Sequence, residues 1–164
     1  MIESSIYFGK SEFYEIIRKL DGSWNDSKER PIVCLLKLTE NDRVFWAIPL
    51  GNWEHRNQQA KDRISRFMNY KDSDIRSCFY HVGRTDVMSI FFISDLIPIT
   101  EKYIEREYIG KYTNSLYTIK NQMLLSELKR KVLRILAWED ANPNYFRQNI
   151  TNIKQYLINE RKDI

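Results

Sequence analysis

The chain has 164 residues, 43% of them hydrophobic, which is enough for one domain with a real core and excludes wholesale disorder. Its net charge is +4 with a pI near 9.0, a mildly basic balance compatible with a polyanionic partner. No apolar run approaches the ~20 residues of a membrane helix, and MIESSIYFGK lacks the charged start and long apolar stretch of a secretion signal. The expectation is therefore a single cytoplasmic domain over residues 1–164 with no membrane partner.

In chain order, SIYF reads as a short strand. KSEFYEIIRKL follows with Phe13, Ile16, Ile17 and Leu20 at helical spacing, Ser11 as the N-cap and Asp21-Gly22 as the stop. DGSWNDSKERP is a polar loop. Two apolar strands come next, at 32–38 and 43–50, joined by a turn at 39–42 as an antiparallel hairpin, with Pro49 marking an edge or a strand end. Residues 57–70 carry Ala60, Ile64, Phe67 and Met68 on one helical face and Lys61, Arg63 and Arg66 on the other. A second hairpin is predicted from 76–82 and 86–93, with LIPI (96–99) as a short apolar piece behind it. A long helix from 115 to 138 is marked by Leu124, Leu128, Val132, Ile135 and Leu136. A last helix from 145 to 160 uses Phe146, Ile150, Ile153, Tyr156 and Leu157. Hairpins interleaved with helices that do not cross over predict an α+β fold on an antiparallel sheet.

Several chemistries have no foothold in this sequence. It holds no Walker loop, GxGxxG, HExxH or GxSxG. Cys34 and Cys78 lie in apolar runs without CxxC or Cys/His spacing, so they read as buried thiols, and no metal or cofactor is expected. Asp72 and Asp74 read as loop residues.

What remains is chemistry that needs no metal. RNA can be cleaved by its own 2′-hydroxyl if the protein supplies a base, a cation for the charged phosphorane and a donor for the leaving oxygen. The stretch AIPLGNWEHRNQQAKDR offers these together: Asn52, His55, Arg56 and Lys61 as catalytic candidates, with Gly51 permitting close approach of a ligand to the backbone. His81 is a weaker candidate. Lys10, Arg43, Arg63, Arg66, Arg84, Lys129 and Arg130 are candidates for an RNA-binding groove, to which Lys131 and Arg134 would add, with Tyr7, Tyr14 and Trp53 for base stacking.

The strand ending in "AIPL", the loop closing on "KDR", then "FFISDLIPIT" and the helix "IKNQMLLSELKRKVLRIL" resemble the toxins of type III toxin–antitoxin systems, the ToxN, CptN and TenpN group. The resemblance runs over roughly residues 5–136, on the Pro-Leu turn and the Lys61-Asp62 pair. It implies a compact, strongly twisted antiparallel sheet, a partial barrel similar to the MazF and Kid toxins, with surrounding helices and a long C-terminal helix. It also implies a metal-independent endoribonuclease leaving 2′,3′-cyclic phosphate ends, an RNA antitoxin folded as a repeated pseudoknot, closed hetero-oligomers with that RNA, and a part in phage defence. The chain departs from the family in having Gly51 and Asn52 where the ToxN branch has hydroxyl residues, and Glu54 and His55 where lysines would fall. His55 is then expected to replace lysine as proton carrier, with Lys61 or Arg56 on the phosphorane. The alternatives are a non-catalytic RNA-binding module and a MazF-like toxin with a protein antitoxin.

Overall fold

The two longest apolar runs pair with each other at the middle of the sheet. The computed structural model describes residues 1–24, 30–39 and 42–162, with the backbone alone for 36–39, 42 and 43. Strand β2 (Pro31–Thr39) runs antiparallel to β3 (Asp42–Asn52), from Ile32 opposite Pro49 to Leu35 opposite Trp46, with the register shifting beyond Leu35. Glu40 and Asn41, in the predicted turn, lie outside the described residues. Alternation sends Val33, Leu35, Trp46 and Ile48 into one apolar cluster, and Ile32, Cys34, Phe45 and Ala47 into another on the opposite face. With both faces covered, these strands read as nearly continuous apolar runs.

Strand β1 (Ile6–Gly9) adds to the free edge of β2, and β7 (Ile104–Glu107), which the sequence pattern does not suggest, adds to β1. On the other side β4 (Tyr80–Arg84) and β5 (Met88–Phe92) form the second hairpin. The order is β4-β5-β3-β2-β1-β7, with β6 (Ile97–Thr100) also on β3: a seven-stranded antiparallel sheet that does not close. Together with the helices it gives the expected α+β class. Two strands share one edge of β3: β6 pairs with Val44 to Ala47, and β5 pairs with Leu50 to Asn52. Pro49 falls at the changeover, where its missing N–H leaves no ladder bond unmade. The proline thus marks a change of partner rather than the end of the strand.

Helix α1 (Ser11–Lys19) is capped by Lys10, which makes no side-chain cap bond; Ser11 is the first helical residue rather than the cap. Its end is as expected, with Asp21 at φ 64° and the Gly22 N–H donating to the Ile17 carbonyl at 2.9 Å. Helix α2 (Gln58–Met68) begins at Asn57, whose side chain accepts from the Ala60 N–H at 2.8 Å.

Helix α3 (Gln122–Ala141) buries Leu124, Leu125, Leu128, Val132 and Ile135 in the first cluster, each worth about 1.5–3 kcal/mol of transfer free energy. It starts at the Asn121 cap, not at 115. Residues 115–120 are extended, bridging Ile109 to Leu116 and Ser5 to Thr118, and the Ile119 N–H donates to the Ser4 carbonyl at 2.9 Å. Those inter-strand bonds outweigh a helical pattern that β-branched Thr118 and Ile119 support poorly. Helix α4 (Ile150–Lys162) also starts later than predicted, because Asn144 and Asn149 take left-handed backbone at φ 59°. Before β4, residues Ile75–Cys78 form a 3₁₀ turn capped by the Asp74 side chain, so the strand begins at Tyr80 instead of 76.

Both cysteines are free and buried, and burial pushes the Cys34 thiol up to about 12. No helix among the described residues is long and apolar enough to cross a membrane.

Candidate phosphate-binding site

The last residues of β3 carry the chain out of the sheet into a short 3₁₀ turn, Trp53–His55, and then into α2. Asn52 makes that turn: its Oδ1 accepts from the Glu54 N–H at 2.9 Å, which leaves its amide nitrogen as the remaining donor. Arg56 folds back from the end of the turn, its Nε donating to the Asn52 carbonyl at 3.4 Å. Its guanidinium then lies over Gly51, where a Cβ would stand 2.8 Å from Nη2 and 3.3 Å from Nη1 of Arg30, which arrives from the start of β2. Gly51 is extended like its neighbours, so glycine serves here to let two guanidiniums approach the backbone. Both also stand over the Phe92 ring of β5, Arg30 at 5.0 Å and Arg56 at 5.6 Å from its centre.

The pair is short of negative charge. Among the described residues Arg30 makes no hydrogen bond or ion pair, and Arg56 spends only Nε. Burial, and next the neighbouring Arg56, depress the pKa of Arg30; Asp95 opposes this and Arg147 adds to it. Asp95 is already held in a bidentate pair by Arg147, through Nε at 3.0 Å and Nη2 at 2.9 Å, and that bond raises the pKa of Arg147. Arg30 and Arg147 thus share the field of one carboxylate, and Arg56 stands beside Arg30. Two half-buried forks with unused donors match the oxygens of a phosphate, where a hydrogen bond to a charged group contributes about 1.5–3 kcal/mol.

The remaining sequence candidates divide into those near this turn and those elsewhere. His55 ends the turn, exposed, and its imidazole has no partner among the described residues. Lys61 lies 3.5 Å from Glu54 Oε2 and 5.5 Å from the centre of the Trp53 ring. On α2, Arg63 donates to the Tyr80 hydroxyl at 2.9 Å, and Arg66 stands over Phe67 at 5.9 Å. Lys10 is instead the cap of α1, and Tyr14 is buried with its ring stacked on Trp24 at 5.1 Å, so that face is taken by packing. Tyr7 is also buried. Arg84 is exposed at the end of β4, Lys129 lies 3.7 Å from Glu3, and Arg130 pairs with Glu127 at 2.9 Å. The Arg43 side chain lies outside the described residues.

One part of the predicted basic face on the long helix is corrected. Lys131 points inward, 5% exposed, donating to the Tyr80 carbonyl at 2.8 Å and to His81 Nδ1 at 3.0 Å. Arg134 donates to Cys78 Sγ at 3.3 Å. Burial first, and then Lys131, lower the pKa of His81 to about 4. Its Nδ1 is occupied by the lysine, so His81 is no proton acceptor at neutral pH. Asp74 binds Arg76 at 2.7 Å, in the loop role expected of it. Among the described residues no three His, Cys, Asp or Glu side chains gather as a metal site would require.

The sequence pattern does not single out Arg30, Phe92, Asp95 or Arg147. A signal for Arg30 is nonetheless present: the hairpin register, extended two pairs beyond Ile32 opposite Pro49, sets Arg30 opposite Gly51. The chain matches no protein-family model and no curated protein.

Proposed function

We propose that this chain is a metal-independent endoribonuclease, the toxin of a type III toxin–antitoxin system, and that the Arg30–Arg56 pair over Gly51 holds the scissile phosphate. The observation that carries this reading is that pair: two guanidiniums on a glycine backbone, without an acid of their own among the described residues. The 2′-oxygen attacks the adjacent phosphorus as its proton leaves to a base, and the P–O5′ bond breaks as the 5′-oxygen takes a proton, leaving a 2′,3′-cyclic phosphate. Arg30 and Arg56 neutralise the dianionic phosphorane. The Asn52 amide donates to a phosphate oxygen, His55 carries the proton, and Lys61 and Trp53 flank the incoming strand. The resemblance of the "AIPL" turn and the long helix supports the toxin assignment, a MazF-like sheet, cytoplasmic action, a role in phage defence, and closed complexes with a pseudoknot RNA.

A second reading, a non-catalytic RNA-binding module, is favoured by one observation: no side chain among the described residues orients His55, whereas proton carriers are usually held by a third group. One assay separates the two. RNA of mixed sequence is incubated with the protein in excess EDTA, wild type beside His55→Ala and Arg56→Gln. Cyclic-phosphate products, lost in both variants, are expected; RNA bound but uncut by the wild type selects the binding module, and RNA neither bound nor cut removes both readings.

A further inference from the structure

The sheet carries a second concave feature that shares no residue with the arginine cluster. Between α3 and α4, at the Trp46 end of β3, lies a cavity of about 480 Å³. Trp46, Leu136 and Ile150 form apolar walls, and Leu133, 58% exposed, stands at its rim. That size and lining are those of a small-molecule site, provided a few polar groups converge there.

They do converge, and their balance is acidic. Glu139, Asp140 and Lys154 are the charged side chains among the described lining residues, two acids against one base in a chain of net charge +4. Glu139 is 2% exposed. Its Oε2 accepts from the Asn144 N–H at 2.6 Å, in the chain reversal after α3, and from the Thr151 hydroxyl, in the first turn of α4. Its Oε1 is buried and has no hydrogen-bond partner among the described residues. A buried carboxylate oxygen left unpaired is costly, and a protonated amine relieves that cost with charge and a donor together. The indole of Trp46 adds an aromatic wall, a surface that suits cations. Phosphate and carboxylate ligands would meet Glu139 and Asp140 instead.

We propose that this cavity binds an organic monocation: a compact apolar body bearing a protonated amine, the amine directed to Glu139 and the body packed against Trp46, Leu136 and Ile150. The site is independent of the ribonuclease reading and operates whether or not that reading holds.

The test uses the intact chain and phenethylammonium as probe, with phenylacetate, of the same ring and opposite charge, beside it, both followed by titration calorimetry. Saturable binding of phenethylammonium, about tenfold tighter than phenylacetate, is expected. Ala137→Phe, at an exposed α3 position lining the cavity, fills it and removes binding; Asp140→Asn weakens it about threefold, and Glu139→Gln about tenfold. Circular dichroism checks that Glu139→Gln folds; if it does not, Ala137→Phe and Asp140→Asn decide the matter. Lack of saturation up to about 10 mM probe, equal affinity for the two probes, or binding untouched by Ala137→Phe overturns the proposal.

Discussion

The Lys131–His81 contact and the arginine pair at Gly51 both bring basic side chains together, and they do so in opposite ways. At the Lys131–His81 contact the lysine is buried and spends its donors on the Tyr80 carbonyl and the imidazole, while the histidine stays neutral. At Gly51 two half-buried guanidiniums share one aromatic ring and, among the described residues, leave most of their donors unused. The first arrangement is complete without a ligand and contributes to the fold. The second spends folding free energy to hold like charges together, and an anion bound there would recover it. Unused donors, more than positive charge itself, separate a binding site from a structural contact.

The largest effect that would undo this contrast lies on the structural side. Lys131→Ala removes a buried stem and leaves the Tyr80 carbonyl unpaired, so a loss of about 2–4 kcal/mol is expected in urea unfolding. A loss under about 0.5 kcal/mol would mean that the contact is ornamental. Arg30→Gln and Arg56→Gln should each weaken RNA binding roughly tenfold and flatten its salt dependence by about one phosphate contact, while unfolding stays within about 0.5 kcal/mol of wild type. Stability lost in step with affinity would make the arginines structural too.

The pH dependence of unfolding draws the same line more finely. The folded pKa of His81, about 4, lies below its ordinary 6.5, so the neutral ring favours the folded state. Its contribution is complete above pH 6.5 and is lost as pH falls towards 4. The half-buried ring is faced by Lys131, Arg130 and Glu127, and after discounting for its watered edge the loss is on the order of 1 kcal/mol. It is read as the difference between wild-type and His81→Gln stability profiles, which would run parallel if the lysine contact held no proton linkage. Gly51→Ala gives the smallest change. The added methyl meets the movable end of Arg56, so RNA affinity should fall about threefold with stability barely altered. Unchanged affinity would detach Gly51 from the site.

The elements that periodicity and turns declare, the central hairpin, α2 and the body of α3, are legible in the sequence because local pattern and burial agree there. The strand β7 is hidden by its composition: IERE is three-quarters charged, and only its pairing with β1 makes it a strand. The extended 115–120 segment reads as helix in isolation because its partners, Ser4 to Ile6 and Tyr108, are joined to it only by the fold. The site shows the same division. Gly51, Asn52 and Arg56 stand close together in the sequence, although Gly51 and Asn52 prove to be the last residues of β3, paired with β5, and not a loop. Arg147, by contrast, reaches Asp95 across a long stretch of chain, a meeting that only the docking of the C-terminal segment produces.

The changeover at Pro49 also bears on the order in which the sheet comes apart. The β5 ladder on Leu50 to Asn52 and the β6 ladder on Val44 to Ala47 are separated by Ile48 and Pro49, which pair with neither strand, so one can open without unzipping the other. In amide hydrogen exchange the two would appear as distinct opening units. The β5 half, which carries Gly51 and the Phe92 ring under both arginines, would exchange first. The end of the sheet proposed to receive an anion can thus breathe on its own clock while the hydrophobic centre stays shut.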